Sequence, residues 1–270
     1  MGVVPFQKDP DDRDRWSFDD SENEGSGKMS FLEHLDELRT RIMYALISLA
    51  IGAAIAFVFI QRIYDFVMRP MQQMLPAGGK LIFTEAPEAF MLYIPLGIIA
   101  GLIIASPLIL FQVWLFVAPA LYAKERRFAI PFVLFATIGC VGGAAFGHYV
   151  VFPLMWKFFS TFQSDYVTFM PRVEDAFGLY IKMVVGMAVV FQMPTIVFFL
   201  AKMGVVTARW MLRYFKYAVL AIAVIAAVIT PGPDVASQLI VGVPMLGLYV
   251  ISIAVAWIFG KKRKPPIEEV

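Results

Sequence analysis

Residues 93–119 read YIPLGIIAGLIIASPLILFQVWLFVAP, with no charged side chain, and residues 120–127 follow at once as ALYAKERR. A helix needs roughly 20 predominantly apolar residues to cross the hydrocarbon core of a bilayer. This stretch supplies them and then stops at three bases and one acid. Working outward, five further apolar blocks appear at residues 42–60, 128–152, 183–203, 217–230 and 237–260, and none of the six contains Asp or Glu. The fifth is short, and Thr230-Pro231-Gly232-Pro233-Asp234 ends it abruptly, because two prolines cannot donate backbone hydrogen bonds and Gly favours a turn. Composition agrees: 60% of the 270 residues are hydrophobic and 16% charged, where a soluble domain carries about a quarter charged. The expected fold class is an all-α integral membrane protein with six transmembrane helices.

Lys and Arg orient the spans through the positive-inside rule. Fourteen bases (Lys28, Arg39, Arg41; Lys124, Arg126, Arg127; Lys202, Arg209, Arg213, Lys216; Lys261, Lys262, Arg263, Lys264) lie on one side. Six (Arg62, Arg69, Lys80, Lys157, Arg172, Lys182) lie on the other, over two much longer connections. Both termini are therefore expected in the cytoplasm. The long external connections, rich in aromatics and Pro, suit a partly packed cap. Residues 1–28 hold eight acids and few large apolar groups, so they read as a disordered acidic cytoplasmic tail. They lack the basic start and apolar core of a cleavable signal peptide. Residues 29–260 read as the membrane domain and 261–270 as a basic, polar cytoplasmic tail.

The composition also excludes several functions. A net charge of +2 gives no footprint for nucleic acid. The lone Cys140 builds neither a disulfide nor a cysteine metal site. His34 and His148 fall at opposite membrane faces, so no two-histidine metal site or His-centred triad is available, and no enzyme or cofactor is expected. A secondary transporter of a small solute or ion is the alternative. It would place ionisable groups or broken helices at midplane, whereas the six spans lack acids and show no internal repeat.

Two charged clusters remain. In Ser30-Phe31-Leu32-Glu33-His34-Leu35-Asp36-Glu37-Leu38-Arg39-Thr40-Arg41, the apolar Phe31, Leu32, Leu35, Leu38 and Ile42 recur at helical spacing. Ser30 with Glu33 fits a capping box. The plain reading is an interfacial helix with a solvated acidic face. In the loop at 118–127, Glu125 is the only acid, and the plain reading is neutralisation of its basic neighbours. The functional reading puts Glu37 and Glu125 on one cytoplasmic groove, where each carboxylate accepts a bidentate pair of charge-assisted bonds from a guanidinium. Within the spans, Gln192 reads either as an interhelical hydrogen bond or as a functional amide, and His148 as structural.

These clusters together resemble the TatC family. The resemblance rests on His34-Leu35-Asp36-Glu37-Leu38-Arg39-Thr40-Arg41, on QVWLFVAPALYAKERR at 112–127, on Tyr149-Val150-Val151-Phe152-Pro153, and on Thr230-Pro231-Gly232-Pro233-Asp234. Their order and topology match over about residues 29–260. The resemblance implies a concave six-helix receptor for twin-arginine signal peptides in a prokaryotic cytoplasmic membrane, exporting folded cargo. It implies that Glu37 and Glu125 contact the signal's arginines, and that Arg39, Phe116 and Arg127 occupy matching motif positions, as does Pro70 in the first external connection. Thr230 and Gln238 match a docking surface for the single-span partners TatA or TatB, Asp234 matches an aspartate at the external turn, and a homo-oligomer within the complex is implied. Two departures stand out: many members carry Glu where this chain has Gln192, and its Thr-Pro-Gly-Pro-Asp turn is one residue longer than Thr-Pro-Pro-Asp.

Overall fold

Inside lipid no water satisfies a free backbone N–H or C=O, so long apolar blocks close their hydrogen bonds internally as helices. A computed structural model describes residues 31–75, 80–117, 129–164, 166–230, 232 and 234–260. They form α1 (Phe31–Val58), α2 (Ile60–Gln73), α3 (Glu88–Met91), α4 (Tyr93–Val117), α5 (Ala129–Phe146), α6 (Phe152–Ser160), α7 (Val173–Val190), α8 (Gln192–Met203), α9 (Ala208–Arg213), α10 (Phe215–Ile229) and α11 (Val235–Phe259). The described residues fall into two units that divide between Thr40 and Arg41. Five helical stretches are long and apolar enough to span a membrane: His34–Val58, Glu88–Val117, Ile130–Ser160, Val173–Met203 and Val235–Phe259. A sixth, Phe215–Ile229, is apolar but shorter. Together they account for all six blocks.

The helices overrun the blocks in instructive places. The third does not end at Phe152: a π-helical turn, Gly147–Val151, joins α5 to α6. The fourth starts at Val173, ten residues before the apolar block, because Glu174 and Asp175 occupy its first turn, where acids complement the helix dipole. It breaks at Phe191 because Pro194 has no N–H to give and its ring crowds the preceding turn. Residues 60–73, expected as loop, are helical despite Pro70. Arg62, Asp65, Phe66 and Arg69 are exposed on α2, while Val67, Met68 and Met71 are buried.

Close packing within residues 41–270 rests on small residues. A Cβ on Gly52 would strike the carbonyl oxygen of Gly101, and one on Gly101 would lie 2.5 Å from the Ala53 Cα, so α1 and α4 touch backbone to backbone. Gly143 lets α5 approach α7 in the same way, a Cβ there falling 2.5 Å from the Met187 oxygen. Lipid offers no hydrophobic drive between helices, so such approach is what holds them. Around α7 a core of Met71, Phe152, Met155, Phe177, Met183 and Met187 is fully buried. A smaller aromatic cluster joins α4, α5 and α8, with Trp114 and Phe132 ring centres 4.8 Å apart and Phe132 and Phe199 4.9 Å apart. The two long connections meet as expected of a packed cap: Ile82 N–H donates to Pro171 O at 3.2 Å, and Val173 N–H donates to Ile82 O at 2.8 Å.

Candidate functional sites

The acidic first cluster sits where the apolar stripe placed it, on α1. Glu37 is half-buried and Arg39 exposed, and Thr40 donates its hydroxyl to the Asp36 carbonyl at 2.9 Å. Phe116 is half-buried on α4, two residues beyond the buried Trp114. Glu125 and Arg127 lie outside the described residues, as does Ser30. Pro70 is half-buried in α2 beside the buried Met71.

Gln192 opens α8, and its side-chain N–H donates to the Ala136 carbonyl on α5 at 2.9 Å. Its amide thus bridges two spans, as the interhelical alternative required. Thr230 ends α10, is buried, and donates its hydroxyl back to Ala226 O at 2.9 Å. Gln238 donates from α11 to Ala223 O on α10 at 2.7 Å. These two groups therefore close and pair α10 and α11, and beyond Lys216 and Tyr217 at the start of α10 the pair exposes a run of apolar side chains that includes Leu220, Val224, Val228, Leu239 and Val243. Asp234 caps α11, accepting from Ser237 N–H at 2.7 Å and from the Ser237 hydroxyl at 2.7 Å. The backbone bond from Ser237, with the hydroxyl behind it, holds the Asp234 carboxyl below its ordinary range. His148 is buried in the π-helical turn, its Nδ1 2.9 Å from the Tyr180 hydroxyl and its ring stacked on Phe66 at 4.2 Å.

The residue that sequence reasoning missed is Glu88. Its carboxylate is buried at the start of α3, where Oε2 accepts from Thr84 N–H at 2.8 Å and Glu85 N–H at 3.3 Å. Its Oε1 accepts from Glu174 N–H at the start of α7, 3.1 Å away. Arg172 Nη2 stands 3.6 Å from Glu88 Oε2 and 3.4 Å from Glu174 Oε2. One carboxylate therefore fastens two connections. The signal was an acid beside Pro87 at the threshold of an apolar span, four residues after Thr84. No group of three metal-binding side chains occurs among the described residues. Apart from Glu88, the buried polar side chains among the described residues are hydroxyls and one imidazole, and they form no cluster of ionisable groups such as the transporter alternative requires.

The comparisons follow this architecture. The family model for TatC, the Sec-independent protein translocase protein, matches residues 33–244. The Sec-independent protein translocase protein TatC of Koribacter versatilis is 40% identical over 239 residues, covering 87% of this chain and 88% of the relative. That of Desulforapulum autotrophicum is 38% identical over 242 residues, 90% of this chain and 89% of its own length. A crystal structure of the twin-arginine translocase receptor TatC superposes with a TM-score of 0.74 at 34% identity, over 83% of this chain and 98% of that one. The family model takes in the first five apolar helical stretches and the first ten residues of the last, Val235–Phe259, and this multi-pass membrane chain belongs to the TatC family of Sec-independent protein translocases.

Proposed function

We propose that this chain is the signal-peptide receptor and core subunit of a twin-arginine translocase in a prokaryotic cytoplasmic membrane. The observation that carries the reading is that the family match, residues 33–244, takes in every charged residue of both clusters, from Glu33 to Arg41 and from Lys124 to Arg127. Glu37 and Glu125 supply the negative site that a pair of arginines needs, and Arg fits it better than Lys because its planar fork donates two parallel bonds to a carboxylate. Arg39, Phe116 and Arg127 flank that site. The fourteen-to-six distribution of bases supports cytoplasmic termini and puts both clusters on the side where a signal peptide first arrives. The apolar face of α10 and α11 suits docking of TatA alone or of TatA and TatB. Thr230 and Gln238 hold those two helices in register, and Pro70, Gln192 and Asp234 keep α2, α8 and α11 in place for the receptor. Several copies acting within one complex complete the reading.

Binding of an Arg-Arg signal peptide to full-length chain in nanodiscs tests the proposal. A charged hydrogen bond contributes about 1.5–3 kcal/mol, less where water reaches it, and about 1.4 kcal/mol is a factor of ten. Glu37→Gln and Glu125→Gln should each weaken binding roughly tenfold, and Glu125→Lys should reject the Arg-Arg signal. Unchanged affinity in both Gln variants would leave these acids as neutralising partners of neighbouring bases.

A further inference from the structure

We propose that a groove between the end of α2 and the α5–α6 rod binds one anionic phospholipid, its acyl chain along the groove and its phosphate at Lys157. The groove holds about 560 Å³. Its walls are apolar: Met74 from the end of α2, and Tyr149, Val150, Pro153 and Leu154 from the rod. Lys157 and Ser160 line it as well. Positions 150, 153/154, 157 and 160 recur every three to four residues, so the groove follows one side of the rod. From Val150 to Ser160 it runs about 15 Å at 1.5 Å per residue.

The order of these residues matches the polarity of a phospholipid. The apolar end lies within the third span, and the cationic end lies where that span leaves the apolar block, past Phe152. Lys157 is exposed and makes no ion pair among the described residues. Beside it, the Ser160 hydroxyl donates to the Lys157 carbonyl at 2.7 Å. A phosphate meets a point charge there, the task to which an ammonium is suited. Water filling the apolar end would find no partners, since a stable buried water needs two to four polar contacts, whereas an acyl chain needs none.

The groove is built before any occupant arrives. The π-helical turn carries one more residue per turn than an α-helix and leaves Tyr149 64% exposed. Phe66 on α2 meets the Tyr149 ring edge-on at 6.2 Å, and His148 meets it at 4.5 Å, so this wall is braced. Leu154, half exposed, stands one turn further along. A protein segment is a poorer occupant: an extended chain would leave its backbone polar groups facing apolar walls, and a helix, about 10–12 Å across, is thick for a groove of about 560 Å³ running about 15 Å.

Native mass spectrometry of the full chain, titrated separately with phosphatidylglycerol and phosphatidylcholine, tests the site. The wild type should retain one phosphatidylglycerol per chain in preference to phosphatidylcholine. Lys157→Gln should lower phosphatidylglycerol retention about fivefold, the contribution of one cation beside an anionic surface, and leave phosphatidylcholine unchanged. Leu154→Trp fills the groove and should lower retention of both, and Val150→Trp should do the same if the first variant does not fold. Glycerol 3-phosphate should not displace the lipid; displacement would overturn the acyl-chain assignment. Equal retention of both lipids by the wild type and all variants would mean bulk boundary lipid and would overturn the site. A polypeptide displacing the lipid would overturn the choice of occupant. Lys157→Gln should bind an Arg-Arg signal peptide normally, so the two proposals stand or fall separately.

Discussion

The contact of α1 with α4 and the junction of the two long connections hold the same unit together by opposite means. Between α1 and α4 the decisive residues are Gly52, Ala53, Gly101 and Ala105, and what matters is the absence of side chain. At the junction the decisive residue is Glu88, and what matters is a side chain with every oxygen in use. The difference follows from solvent. Within hydrocarbon, removing apolar surface from lipid gains little, so helices are held by close approach and dispersion. Where the chain leaves the spans, backbone N–H groups lose their helical partners, and a buried carboxylate that gathers three of them replaces what the turns leave open.

Breaking each region tests the contrast. The largest effect belongs to Gly101→Leu. Its Cβ meets the Ala53 backbone at 2.5 Å, which cannot yield by rotating a side chain, so the helices must separate, at the upper end of the roughly 1–3 kcal/mol typical of overpacking or beyond it. Thermal unfolding in detergent should show a clear loss of stability, with Gly101→Ala intermediate; an unaltered melting curve would show that α1 is not held at this point. Glu88→Ala comes next. It leaves three backbone donors and Arg172 without their shared acceptor, and Glu88→Gln, which keeps one carbonyl oxygen, should do less damage. The expected signature is local: faster protease cleavage between residues 161 and 172 in both variants while the spans stay folded. Uniform protection in both would remove the fastening role.

Smaller effects sharpen the comparison. Gln192→Leu deletes one interhelical hydrogen bond, worth about 0.6 kcal/mol and at most about 1.7 by precedent in membranes, so a marginal shift in melting is expected. A loss as large as that of Gly101→Leu would mean that polar contacts rival close packing inside this bundle. The smallest effect is that of pH on Asp234. Its carboxyl is depressed by bonds from Ser237, so its contribution is full above the ordinary aspartate value of 3.8 and fades as pH falls through the lower folded value. Protection against hydrogen exchange in the first turn of α11, measured relative to the intrinsic rate at each pH, should fall at low pH in the parent and stay pH-independent in Asp234→Asn, whose amide oxygen can still accept from Ser237 N–H.

Much of the fold is written in local pattern. Apolar blocks without acids and the breaks at 118–127 and 231–234 located six helices, because burial in lipid makes charge costly over a fixed length. Their ends were harder to read. The helical form of α6 and of the start of α7 depends on packing against Met71, Phe177 and one another, which periodicity in a single segment does not reveal. The break at Phe191 was not read, although Pro194 stands in the block that reads as one span. Of the candidate residues, Gln192 declared itself as an amide in an apolar run, whereas Asp234 came only through the family resemblance, since the apolar block reads as starting three residues later, at 237, and not at Val235. Thr230 and Gln238 were joined only by the family resemblance, as positions of one docking surface, and their use within the α10–α11 pair depends on a partner fifteen residues away for Gln238. Glu88 was illegible for the same reason at greater range: its bond to Glu174 crosses 86 residues.

That separation orders events in time. Contacts distant in sequence close late, because chain entropy must be overcome first. Until the start of α7 has been made and brought alongside, the Glu88 carboxylate has only its near neighbours Thr84 and Glu85 to receive, and water must supply the rest. The bond from Glu174 then closes a segment that contains all of α3, α4, α5 and α6. Its closure is thus a report that the middle of the chain has been inserted and assembled, and a membrane-bound protease cutting at the open connection would remove only those chains in which that assembly has failed.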